Sequence, residues 1–130
     1  MKEKVILVVR ILFGLMFVNA GLNKFLGYMP MPEMSEQAGA LMGAFGATGY
    51  MFPLIAVTEL IAGVLILTKK CNALGAVLIM PVTVNIFLFH TFLDPSGLVM
   101  AIVLLGVNIF LLYNQKTRLC SMCECDANCC

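Results

Sequence analysis

VILVVRILFGLMFVNAGLNKFL, residues Val5–Leu26, is an apolar run broken only by Arg10, Asn19, Asn23 and Lys24. Crossing the hydrocarbon core of a bilayer takes about 17–25 helical residues, and this run is long enough. It shows no period-2 alternation. A strand in lipid would also leave its backbone polar groups unsatisfied, so the run reads as a transmembrane helix. Three more follow: Met51–Thr68, whose one charge is Glu59; Cys71–Leu93, with none; and Gly97–Tyr113, polar mainly at Asn108. Over 130 residues, 62% are apolar and 12% charged, and mean hydropathy is +1.01. Soluble domains carry about a quarter charged residues. The composition therefore describes an integral membrane protein without room for a large soluble lobe. A net charge of +1 offers no basic face for nucleic acid.

The beginning resembles a secretory signal: Lys2 and Lys4, an apolar stretch, then Val18-Asn19-Ala20 like a cleavage site. Arg10 inside the stretch and its continuation to Leu26 favour a retained helix. Basic residues set the orientation. Lys2 and Lys4 precede the first run, Lys69 and Lys70 separate the second from the third, and Lys116 and Arg118 follow the fourth. The other two connections carry Glu33, Glu36 and Asp94, with Lys24 the one base near them. The positive-inside rule puts both termini in the cytoplasm.

The first connection is long. Tyr28-Met29-Pro30-Met31-Pro32 cannot continue a helix, because each proline lacks an N–H and restricts its predecessor. Glu33–Ala47 then places Ala38, Leu41, Met42 and Phe45 at helical spacing, which predicts a short helix at the outer interface. The other connections are tight, which makes neighbouring helices antiparallel. The expected fold is an all-α membrane protein: an antiparallel four-transmembrane-helix bundle (5–26, 51–68, 71–93, 97–113) over residues 1–115, a short interfacial helix in the first outer loop, and a cytoplasmic cysteine-rich tail, 116–130. Pro81 is expected to kink the third span.

Polar groups inside lipid are costly, so each needs a reason. Arg10, Gly14, Phe17, Gly21 and Lys24 form one stripe on the first helix, with glycines that admit a close neighbour. Lys24 can instead extend its stem to the headgroups. Glu59 lies near the bilayer midplane, where a charge costs about 2.5–3.5 kcal/mol. It either keeps its proton or pairs with a cation, for which Arg10 is the expected partner and His90 the second choice. The pair reads either as a functional site or as a device that fixes helix register. His90 shares a face with Thr83, Phe87 and Asp94. Asp94, four residues on, is placed to accept its proton and fix its tautomer, which makes His90 a proton relay or simply an interfacial histidine. Asn85 and Asn108 are expected as inter-helix hydrogen-bond partners.

Arg10-Ile-Leu-Phe-Gly14-Leu-Met-Phe17-Val-Asn-Ala-Gly21-Leu-Asn-Lys24-Phe25 resembles the first-helix signature of the DoxX family, and Glu59-Leu60-Ile61-Ala62-Gly63 resembles its second-helix glutamate followed by small residues. The resemblance spans about residues 4–115. Ala62 stands where a second glycine is common, and the tail is outside the pattern. The resemblance implies a bacterial inner (plasma) membrane protein, related to subunits of thiosulfate:quinone oxidoreductase and to partners in oxidative or thiol-stress responses. It brings Arg10, Lys24 and Glu59 forward as site residues, with His90 beside them. The implied partners are the bilayer, a quinone in the bundle and a redox partner protein, with homo- and hetero-oligomers both open. Quinone reduction needs an apolar slot, proton donors beside the quinone oxygens and an electron source. Glu59 and His90 are candidate proton donors, and Arg10 a candidate stabiliser of a developing anion. The bundle has no haem ligand pair, flavin motif or intramembrane cysteine, so electrons are expected from a partner or from a cofactor that the sequence does not show.

The chain ends in CSMCECDANCC, where Cys120, Cys123, Cys125, Cys129 and Cys130 crowd together. Cytosolic thiols stay reduced, which disfavours a disulfide framework. The short spacing does not suit a zinc ribbon. It suits a thiolate cluster for a soft ion such as Zn or Cu(I), in which any four sulfurs close a tetrahedral shell. A redox-responsive or lipidated tail and an inert appendage are the other readings. Two further functions follow: metal handling, with Met29, Met31 and Met34 as an outer capture group, and a structural membrane subunit whose polar residues specify packing.

Overall fold

The computed structural model describes residues 1–122, and every element among them is helical. In chain order these are α1 (Lys2–Leu26), α2 (Glu36–Thr48), α3 (Met51–Leu67), α4 (Asn72–Phe92), a 3-10 turn (Pro95–Gly97), α5 (Leu98–Tyr113) and α6 (Lys116–Met122). The long helices coincide with the apolar runs to within a few residues. The sequence assigns no element to Lys116–Met122, so α6 is an addition.

Local chemistry sets the boundaries. α1 stops at Gly27, which takes φ +62° and donates its N–H to the Asn23 carbonyl at 2.7 Å. Left-handed backbone there favours a residue without Cβ. The chain then folds back on α1: the Met29 N–H reaches Asn23 Oδ1 at 2.8 Å, and the Tyr28 hydroxyl donates to the Asn19 carbonyl at 3.0 Å. α2 starts at Glu36 rather than Glu33, because Ser35 is its N-cap: Ser35 Oγ accepts the Ala38 N–H at 3.2 Å. The same hydroxyl donates to the Leu93 carbonyl, which ties the start of α2 to the end of α4. Ala38 is buried and Leu41, Met42 and Phe45 half-buried, the face that the spacing selects.

α1, α4 and Pro95–Tyr113 are each long and apolar enough to cross a membrane. α3, at 17 residues, meets that measure together with α2, from which it is bent by 93°. α4 remains one helix through Pro81. α1 packs on α3, α3 on α4 and α4 on α5, with a sparser backbone approach between α1 and α5. Side chains of α1 and α5 nonetheless meet in the core. Phe13, Phe17, Ala62, Ile66, Ile79 and Leu111 form the core. Leu12, Leu15, Val57, Val64, Val77 and Ile102 point outward, as suits a molecule whose solvent is hydrocarbon.

Small residues bring the helices together. A Cβ on Gly21 would lie 2.8 Å from the Ala56 carbonyl oxygen, one on Gly63 2.9 Å from that of Gly14, and one on Gly75 2.8 Å from that of Ala62. Backbones at such distances exclude any side chain. The stripe residues Arg10, Gly14, Phe17 and Gly21 are all buried, so the stripe does face the interior.

Candidate functional site

The glycine contacts set the depth of each polar residue. Gly21 meets Ala56 and Leu60, whereas Gly14 meets Gly63 and Leu67. α1 and α3 therefore run past each other so that Lys24, in the last turn of α1, lies one turn outward of Glu59. Lys24 Nζ donates to Glu59 Oε1 at 2.9 Å and to Oε2 at 2.7 Å. The carboxylate is 3% exposed and the lysine side chain 27%. This corrects the expected pairing with Arg10 or His90. Gly14 is level with Gly63, one turn past Glu59 on α3, and Arg10 lies a further turn beyond Gly14, so the ion pair of Glu59 is with Lys24 and not with Arg10.

Beside the pair, α2, α3 and α4 border a half-open cavity of about 350 Å³. Phe45, Phe52, Ile55 and Phe89 give it apolar walls, and Lys24, Asn85 and His90 bring polar atoms to it. An ammonium has three donors; two are directed at Glu59, which leaves the third for an oxygen in the cavity. Phe45 and Phe52 meet edge to face at 6.3 Å, joining α2 to α3 at the cavity wall. These aromatic walls were not singled out as site residues from the sequence. The signal was Phe45 on the apolar face of α2.

His90 is held by a different group from the one expected. Its Nδ1 lies 2.8 Å from the backbone carbonyl oxygen of Asp94, not from the carboxylate. α4 ends at Phe92, and Asp94 turns its Oδ1 to the Ser96 hydroxyl at 2.7 Å as cap of the 3-10 turn. A carbonyl only accepts, so Nδ1 carries the proton and Nε2 is the acceptor of the neutral ring. Gly97 packs against this ring so closely that a Cβ there would overlap it.

Elsewhere, Asn108 donates to Thr83 Oγ1 at 3.0 Å, joining α5 to α4 as expected for an inter-helix polar contact. Asn85 lines the cavity instead of bridging helices. Arg10 is 9% exposed and lies on a second cavity at the other end of the molecule. Of the tail cysteines, Cys120 sits on α6, and Cys123, Cys125, Cys129 and Cys130 lie outside the described residues. Cys71 is exposed at the start of α4. Among the described residues no three His, Cys, Asp or Glu side chains gather in a way that would hold a metal ion.

The DoxX family model matches residues 5–91. The chain belongs to the DoxX family. The DoxX match runs from α1 almost to the end of α4 and includes Arg10, Lys24, Glu59 and His90. α5, α6 and the cysteine tail follow the DoxX region. No curated protein and no solved structure matches the chain. Membership and the long apolar helices together make this an integral membrane protein in contact with lipid.

Proposed function

We propose that this DoxX protein is an inner-membrane component of a redox, sulfur or thiol-homeostasis system linked to the quinone pool, and that the cavity between α2, α3 and α4 receives the quinone head. The observation that supports this reading is the convergence of Lys24, Asn85 and His90 on an apolar space of about 350 Å³. That size is in the range of small-molecule sites. Aromatic walls suit a planar ring, and polar groups suit its carbonyl oxygens. A bound quinone supplies the capacity to take up two electrons and two protons. Lys24 donates to a ring oxygen and offsets negative charge there, in the place first given to Arg10. Glu59 keeps the ammonium oriented. His90, with Nδ1 committed to the Asp94 carbonyl, exchanges protons at Nε2. Electrons come from a partner protein.

The proposed topology has four antiparallel spans with both termini cytoplasmic. Two groupings support it. Lys4, Lys69, Asn114 and Arg118 line one cavity, so the start of α1, the α3–α4 turn and the end of α5 share one side. Lys24, Met51 and His90 line the other. The basic side is the cytoplasmic one. α3 measures about 26 Å at 1.5 Å per residue, and α2 lies across its outer end as the interfacial helix. Residues 1–115 form the bundle, and the tail from 116 is a separate attachment that binds a soft metal or senses thiols. Titrating the full chain with zinc and Cu(I), against a variant with the five tail cysteines changed to Ser, tests that part; equal binding by both removes it.

The quinone reading is tested by binding of a short-chain ubiquinone or menaquinone to protein in nanodiscs. Lys24→Met and His90→Gln are expected to weaken it about tenfold or more, the usual effect of losing a hydrogen bond to a charged or polar anchor. Wild-type affinity in both folded variants would remove the quinone from this cavity.

A further inference from the structure

The second cavity has about 700 Å³ and four cationic walls: Lys4 and Arg10 of α1, Lys69 of the α3–α4 turn and Arg118 of α6. Its one carboxylate is Glu3, which is exposed. Arg10 is the decisive residue. It is 9% exposed, and its Nε is buried without a hydrogen-bond partner. No carboxylate among the described residues lies within ion-pair distance of it. A buried guanidinium nitrogen without an acceptor is costly, and an anion in the cavity would complete it. Arg118 is already oriented. Its Nη1 donates to the Lys69 carbonyl at 2.6 Å and to Asn72 Oδ1 at 3.2 Å, which leaves its remaining donors for another acceptor. Gln115 adds a buried acceptor, Oε1, that also lacks a partner, and it lines the same space.

We infer that this cavity binds a phosphate-type oxyanion, held by Arg10 and Arg118 and steered by Lys4 and Lys69. Guanidinium forks match the oxygens of a phosphate. Gln115 suits a hydroxyl of the same ligand, either a protonated phosphate oxygen or a glycerol hydroxyl. The cavity lies where helix ends and basic residues meet, the level at which phospholipid headgroups stand, and basic pockets between helix ends are suited to anionic headgroups. A soluble phosphate has the same chemistry. Because Arg10 lies about 21 Å along α1 from Lys24, this site and the quinone cavity stand or fall separately.

The experiment places the full chain in phosphatidylcholine nanodiscs and reads thermal stability and retained ligand by native mass spectrometry. One arm adds inorganic phosphate, with chloride at equal ionic strength as control. The other raises the share of phosphatidylglycerol. Saturable stabilisation in the lipid arm alone identifies a headgroup site, and in the phosphate arm a site for soluble phosphates. Arg10→Gln is expected to weaken the response about tenfold or more. If that variant does not fold, Lys4→Gln/Lys69→Gln decides, because both side chains are exposed and their loss leaves the packing intact. No stabilisation in either arm, or the same response in the variants as in the wild type, overturns the proposal.

Discussion

Lys24 Nζ lies 2.7 Å from Glu59 Oε2, so a cation near the end of α1 neutralises an anion in the middle of α3. Removing the cation leaves the buried Glu59 carboxyl without its partner, so it must either stay ionised at high cost or take up a proton. Lys24→Met is expected to destabilise by about 2–3 kcal/mol, less than the 3–5 kcal/mol of a fully buried pair because the lysine is partly exposed. Lys24→Met/Glu59→Leu is expected to recover most of the loss. Reversible unfolding in mixed micelles gives the coupling energy, and a value under about 0.5 kcal/mol would show that the two charges do not depend on each other.

Helical period made the Arg10–Lys24 stripe legible, and burial of Arg10, Gly14, Phe17 and Gly21 bears it out. Period gives the angular face of a residue but not its depth against the next helix. Depth was set by Gly21 against Ala56 and Gly14 against Gly63, and matching those small residues across the two runs would have put Lys24, not Arg10, beside Glu59. The His90–Asp94 pairing failed for a local reason. The spacing assumed that the helix continued to Asp94, whereas Asp94-Pro95-Ser96 carries an N-cap followed by proline at the first helical position. The α2 boundary moved likewise to the capping Ser35. The aromatic cavity walls come from three separate elements, a convergence that no single segment displays.

The glycine contacts predict a sign difference. Gly63→Ala puts a methyl 2.8 Å from Val18 Cγ2 and 2.9 Å from the Gly14 carbonyl oxygen, and is expected to cost about 1–3 kcal/mol. Gly106→Ala, in α5 with nothing within 4 Å of its Cβ position, is expected to be neutral or to stabilise by up to about 1 kcal/mol. Unfolding both in the same detergent checks the pair, and equal losses would contradict the close approach.

The His90 tautomer is open to measurement. Imidazole nitrogen shifts of labelled protein in lipid at a pH where the ring is neutral are expected to show a proton on Nδ1, given the 2.8 Å contact to the Asp94 carbonyl. Gly97→Ala displaces the ring and is expected to shift those resonances and weaken quinone binding. A predominant Nε2–H form in the wild type contradicts the arrangement.

Asn108 and Thr83 should contribute modestly. Polar contacts between membrane helices average about 0.6 kcal/mol and reach about 1.7 kcal/mol. Asn108 Oδ1 is buried without a partner, which lowers the net gain. Asn108→Leu is therefore expected to change stability by less than about 1.5 kcal/mol, and a loss above 3 kcal/mol would mean that the residue does more than join α4 to α5.

Orientation is tested through Cys71, exposed beside the Lys69-Lys70 turn. With the other cysteines changed to Ser, a membrane-impermeant maleimide is expected to label it in inside-out vesicles and not in intact cells. Labelling from the outer face reverses the proposed topology.

The last long helix has one more consequence. α5 packs mainly on α4, and only 17% of the apolar stretch of its span is buried within the protein. In the proposed topology, acyl chains then supply most of its van der Waals neighbours, and the bilayer serves as the packing layer that a fifth helix would otherwise provide. Exchanging lipid for a loosely ordered detergent removes that layer from α5 first, while α1 and α3, locked backbone to backbone, keep their contacts.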